Sequence, residues 1–112
     1  MLNRLFRKKE TPLPPADWSV VKADMHSHLI PGIDDGSKNM DQTIAMLAKF
    51  ESLGYKKVVT TPHVMSDYFK NTPEIILGGL KNVQETAQKL GLKIQIEAAA
   101  EYYFDDAFIR SL

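Results

Sequence analysis

Three times between Val20 and Leu112, a short run of strand-forming residues gives way to a loop and then to a helical repeat. This alternation limits the fold more than any single residue does. Strands separated by helices pair in parallel, with right-handed crossovers, and belong to the α/β class. Val20–Met25 reads as the first strand, with Trp18 packing just before it. The loop His28–Ser37 follows and holds Pro31, Gly32 and Gly36. The first helix is expected from Met40 to Leu53, capped by Asn39 with Gln42 three residues on. Met40, Ile44, Leu47 and Ala48 share its apolar face, and Gly54 ends it.

Lys57–Thr61 reads as the second strand, and Pro62 leaves His63 just beyond its carboxyl end. Thr72, Pro73 and Glu74 open the second helix as cap, first-turn proline and acid at the positive dipole end. Its apolar face is Ile76, Leu80, Val83, Ala87 and Leu90, and Gly91 closes it. Gly78 and Gly79 weaken its middle by about 1 kcal/mol each relative to alanine. Leu92–Ala100 forms the third strand, and Asp105 caps a third helix that runs to Leu112. A three-stranded parallel sheet leaves open edges, so the chain reads as a truncated piece of a larger α/β protein or as one that pairs with another chain.

Charge divides the chain into two parts. Lys plus Arg and Asp plus Glu are 14 each, for a formal net charge of zero, yet Arg4, Arg7, Lys8 and Lys9 sit together in the first nine residues with no acid among them. The remainder carries 10 basic and 14 acidic residues, a net of −4. Such a body argues against nucleic acid as a partner and suits a site that holds cations. Residues 1–19 are read as a basic disordered tail with a stiff linker at Pro12, Pro14 and Pro15, and residues 20–112 as the folded part. The competing reading of Met1–Lys9 is weak contact with an anionic membrane surface. There is no cysteine, which fits a reducing, cytoplasmic setting and closes the cysteinyl-phosphate route to this chain.

The chemistry gathers at one end of the expected sheet. His26 and His28 are two apart at the end of the first strand, so both can reach one metal ion. Asp24 is expected to orient one of their rings. Asp34-Asp35-Gly36 lies in the next loop, His63 follows the second strand, and Glu101 follows the third. Sites in parallel sheets form at the carboxyl ends of strands, and all three histidines fall there. His26, His28, the Asp34-Asp35 pair, His63 and Glu101 are therefore the candidate ligands, and the resemblance described next selects Asp35 from the pair. Taken alone, Asp34-Asp35-Gly36 reads first as a turn, the commoner role of Asp-Gly pairs, and Glu101 as an exposed carboxylate.

At these residues the chain resembles the polymerase-and-histidinol-phosphatase (PHP) superfamily, and within it the bacterial tyrosine-protein phosphatases of capsule and exopolysaccharide systems. The resemblance rests on Asp24-Met25-His26-Ser27-His28-Leu29-Ile30-Pro31-Gly32-Ile33-Asp34-Asp35-Gly36, on Thr61-Pro62-His63 and on Ala100-Glu101-Tyr102-Tyr103. It implies the N-terminal βαβαβα portion of a distorted (β/α)7 barrel, with up to three manganese or other divalent transition-metal ions. By the same resemblance, His26 and His28 match ligands of one metal, Asp35 and His63 match ligands of another, and Glu101 matches the bridging carboxylate. Asp34 receives no metal role. The implied reaction is hydrolysis of protein phosphotyrosine by a metal-activated water, with no side chain as nucleophile. The implied partner is a bacterial tyrosine kinase of polysaccharide export, near the inner membrane. The family's remaining ligands come from later strands that this chain lacks, so an inactive fragment is one alternative. A small phosphate ester such as histidinol phosphate, or an amidohydrolase chemistry on a similar His-x-His strand, are the others. The segment Val64-Met65-Ser66 is not basic, whereas some relatives carry basic groups there.

Overall fold

Two helices pack on one face of a short parallel sheet, and the candidate ligands stand at the sheet's carboxyl end. The computed structural model describes residues 11–17 and 19–112. The expectations for Met1–Lys9 and for Trp18 fall outside the described residues. Residues 11–17, which include the three linker prolines, are exposed and without regular structure. The elements that follow are β1 (Ala23–Ser27), α1 (Met40–Ser52), β2 (Lys57–Thr60), β3 (His63–Val64), α2 (Pro73–Lys89), β4 (Gln95–Ala98), β5 (Glu101–Tyr102) and α3 (Asp106–Ser111). No helix among the described residues is long and apolar enough to cross a membrane.

The main sheet has the order β1-β2-β4, with both pairings parallel. Val58 and Ile96 are register partners and belong to the core with Leu29, Leu47, Val83, Ala87 and Ile94. The predicted helix faces hold in part. Leu47, Ile76, Val83 and Ala87 are buried as expected, while Ala48 and Leu90 are exposed. Thr43 takes a core position that an apolar pattern does not reveal. Its hydroxyl donates to the Leu29 carbonyl at 2.6 Å, and the Leu29 N–H donates to Thr60 Oγ1 at 2.9 Å. Both backbone groups of Leu29 are thus satisfied inside the core, which anchors the chain immediately after His28.

The caps form where they are expected. Asn39, Thr72 and Asp105 accept from Gln42, Ile75 and Phe108 N–H respectively. Gly79 meets Ile30 so closely that an added Cβ would run into the Ile30 side chain, whereas Gly78 has nothing near it. The second glycine is therefore a packing requirement of α2 and the first is not.

The strands differ from expectation at both ends. The first strand begins at Ala23 rather than Val20 and extends to Ser27, and the third narrows to Gln95–Ala98. Beyond them lies a second, two-stranded parallel sheet in which His63 pairs with Glu101 and Val64 with Tyr102. Pro62 interrupts the ladder without ending it, because its carbonyl still accepts from Glu101 N–H at 2.9 Å. The other face of the main sheet carries Lys57, Val59, Gln95 and Glu97, with Lys57 Nζ 2.8 Å from Glu97 Oε2.

Candidate metal centre

The geometry begins with an irregularity in β1. Asp24 pairs with Val58 and Ser27 with Thr60, so β1 spends one more residue than β2 over the same length. This bulge falls at Met25-His26 and turns both residues outward at the rim. His26 Nε2 then stands 3.4 Å from His28 Nε2.

The loop after β1 folds back onto His28. Ser37 N–H donates to the His28 carbonyl at 3.1 Å, and Gly36 passes so near that a Cβ there would collide with His28. That approach delivers Asp34, which is buried, to the imidazole: His28 Nδ1 lies 2.8 Å from Asp34 Oδ2. The same carboxylate accepts from Gly36 N–H at 3.0 Å and from His63 N–H at 3.2 Å. Burial pushes the Asp34 carboxyl up, but the hydrogen bonds from His28, Gly36 and His63 outweigh it and hold it below its ordinary value. An ionised Asp34 only accepts, so His28 Nδ1 carries the proton and Nε2 presents its lone pair to the rim. The orienting role expected of Asp24 thus belongs to Asp34, and Asp24 Oδ2 has no hydrogen-bond partner.

All five predicted residues meet at this rim. Glu101 Oε2 is 3.7 Å from His26 Nε2, 3.4 Å from His28 Nε2 and 3.3 Å from His63 Nδ1. His63 Nε2 lies 3.2 Å from Asp35 Oδ1. Two groups each have donor atoms within 4.8 Å of one another: His26, His28 and Glu101, and His28, Asp35 and His63. His28 belongs to both and Glu101 to the first alone; Glu101 nears His63 at Nδ1, whereas Asp35 nears that ring at Nε2.

These donors fit divalent cations better than they fit one another. Glu101 Oε2 is shielded from solvent and has no hydrogen-bond partner, although three imidazole nitrogens lie within 3.7 Å. A buried carboxylate oxygen left in that state is costly. Donors each about 2.1 Å from a shared ion stand roughly 3.0–3.4 Å apart, close to the spacings seen here. Thr61 Oγ1 is 3.2 Å from His26 Nδ1 and 3.4 Å from the Ser27 carbonyl, and so holds the His26 ring with its Nε2 toward the rim.

Sequence reasoning passed over several residues that build the site. Asp34 is one of these, since nothing in the sequence Asp34-Asp35 tells the two carboxylates apart. Asn71 Nδ2 ties the Ile33 carbonyl at 3.0 Å to the His63 carbonyl at 2.8 Å, joining the loop to β3. Phe69 stacks on His63, with ring centroids 5.6 Å apart and planes inclined by 15°. Asn71 and Phe69 lie in a stretch without periodicity and became legible only once the chain had folded.

Residues 22–112 match the family described as capsular polysaccharide synthesis, CpsB/CapC. The chain belongs to that family. Among CpsB/CapC relatives, the tyrosine-protein phosphatase CpsB of Streptococcus pneumoniae is 31% identical over 81 residues, 72% of this chain and 33% of the relative. The tyrosine-protein phosphatase YwqE of Bacillus subtilis is 30% identical over 53 residues, 47% of this chain and 21% of the relative. The fold agrees with that of crystal structures of YwqE and CpsB, described as metal-dependent tyrosine phosphatases. The TM-score is 0.73 at 20% identity, covering 80% of this chain and 36% of the solved one. The chain thus spans about a third of the length of the first CpsB relative it matches.

Proposed function

We propose that this CpsB/CapC chain contributes part of a divalent-cation centre that hydrolyses phosphotyrosine on protein, in the service of capsule or exopolysaccharide control. The observation that carries this reading is Glu101 Oε2, a buried carboxylate oxygen that three imidazoles surround without a hydrogen bond. The names of the relatives support the substrate class. Divalent cations, when bound, neutralise phosphoryl oxygens and bring the pKa of water toward 7. Mixed imidazole and carboxylate donors accept several divalent transition metals, and the resemblance to the PHP superfamily makes manganese the one we favour.

The chain's own residues divide the work. His26, His28 and Glu101 would hold one cation, and Asp35 and His63 a second, with His28 within reach of both and Glu101 the bridging carboxylate that the family resemblance implies. Asp34 keeps the His28 lone pair aimed outward and, through the His63 N–H, holds the two halves in register. We further infer that residues 20–112 are the N-terminal βαβαβα portion of a distorted (β/α)7 barrel. Both helices lie on one sheet face, and the face bearing Lys57 and Glu97 is the one such a barrel would turn inward. A tyrosine kinase of polysaccharide export is the substrate protein we propose.

The test is elemental analysis after manganese reconstitution, combined with release of phosphate from a phosphotyrosine peptide and from histidinol phosphate. The expected result is more than one ion per chain, with activity in the full-length family protein favouring the peptide and lost in a His26→Ala/His28→Ala variant. Less than one ion per chain, or near-parental turnover in that variant, overturns the proposal.

A further inference from the structure

Two clefts open from the ligand cluster. One, of about 480 Å3, reaches only His28 among the ligands and continues past Gly36 to Ala45 and Met46. The other, of about 380 Å3, has Asp35, His63 and Glu101 in its lining, with Tyr68, Phe69 and Tyr103 among its walls. Both volumes are in the range of small-molecule sites, but only the second places an occupant against several ligands at once.

The aromatic wall is ordered outward from the ligands. Phe69 lies face to face with His63, and Tyr68 meets Phe69 edge-on, with centroids 4.5 Å apart and planes inclined by 71°. Support of His63 needs only Phe69. Tyr68 and Tyr103 nevertheless line the cleft while keeping 73% and 60% of their surface in solvent. Among the described residues no Lys or Arg lines this cleft, so its side chains offer a π surface and no positive charge of their own to a phosphate.

We propose that this cleft is an aryl subsite: Tyr68, Phe69 and Tyr103 receive the phenyl ring of an aryl phosphate, whose phosphoryl group lies toward Asp35, His63 and Glu101. The inference rests on the function proposed above and adds the residues that set its specificity. A ring so placed gains offset or edge contacts with two or three aromatic neighbours, which an alkyl phosphate does not. Recognition is thereby divided: cations take the phosphoryl charge, and the aromatic wall selects the leaving group.

The test uses the zinc-loaded protein, which is diamagnetic, with phenylphosphonate and methylphosphonate as non-hydrolysable probes. Calorimetry is expected to show phenylphosphonate binding about tenfold more tightly. Tyr68→Ala and Tyr103→Ala are each expected to lower that ratio about threefold. NMR contacts from the probe's phenyl protons are expected on Tyr68 and Phe69 of the unaltered protein, so the outcome does not depend on the variants folding. Phenyl contacts on Ala45 and Met46 instead, or an affinity ratio near one, overturn the aryl subsite alone. Failure of both phosphonates to bind zinc-loaded protein overturns the phosphoesterase reading and the subsite with it.

Discussion

Asp34 accepts on both of its oxygens from N–H groups: Gly36 on Oδ1, and His28 with His63 on Oδ2. An asparagine has one acceptor oxygen and one donor nitrogen, so Asp34→Asn must turn an NH2 toward an N–H whichever way it is flipped. If the NH2 faces His28, the ring tautomer inverts and Nε2 loses its lone pair. If it faces Gly36, a buried donor goes unpaired at a cost of about 1–3 kcal/mol. We expect Asp34→Asn to weaken zinc affinity roughly 10–100-fold, as measured by competition with a chelating dye. Unchanged affinity would show that the ring is oriented by something else. At this scale the sequence was legible as to residue type and ambiguous as to identity. Asp34 and Asp35 are chemically equal neighbours, and the tight passage of Gly36 over His28 turns the first inward and the second toward His63.

Within α2, two adjacent glycines with the same propensity cost have opposite roles. Gly78 has open space where its Cβ would be, so Gly78→Ala is expected to stabilise the protein by about 0.5–1 kcal/mol in urea unfolding. Gly79→Ala gains the same propensity but drives a methyl into the buried side chain of Ile30, and is expected to be destabilising overall. Equal effects at the two positions would refute the packing argument. The helices and their caps were readable because side-chain spacing and capping hydrogen bonds are local. The β1 bulge and the β3–β5 pairing were not readable, since both depend on which residues of distant segments come into register.

Across the molecule, the five donors come from β1, the loop after it, β3 and β5, which the chain separates by as many as 75 positions between His26 and Glu101. A cation that engages them binds the folded chain and not the unfolded one, so binding energy becomes folding energy. At a free concentration 100 times its Kd, one such ion adds about 2.7 kcal/mol. For a domain of this size that raises Tm by on the order of 10 °C, measurable by calorimetry with manganese and reversible with EDTA. Identical melting in both conditions would mean that the donors do not act together.

The sequence alone determined the α/β class, the helix ends, and the residue types with ligand chemistry at the carboxyl ends of strands, without separating Asp34 from Asp35. All of these follow from local spacing and from residue type. Only the tertiary structure decided that His28 leans on Asp34 rather than Asp24, that His63 faces Glu101 in a second small sheet, and that Phe69 and Tyr68 stand beside them. These depend on contacts between residues far apart in the chain. Such contacts are set by how the core around Leu29, Leu47 and Val58 closes, and no periodicity encodes that.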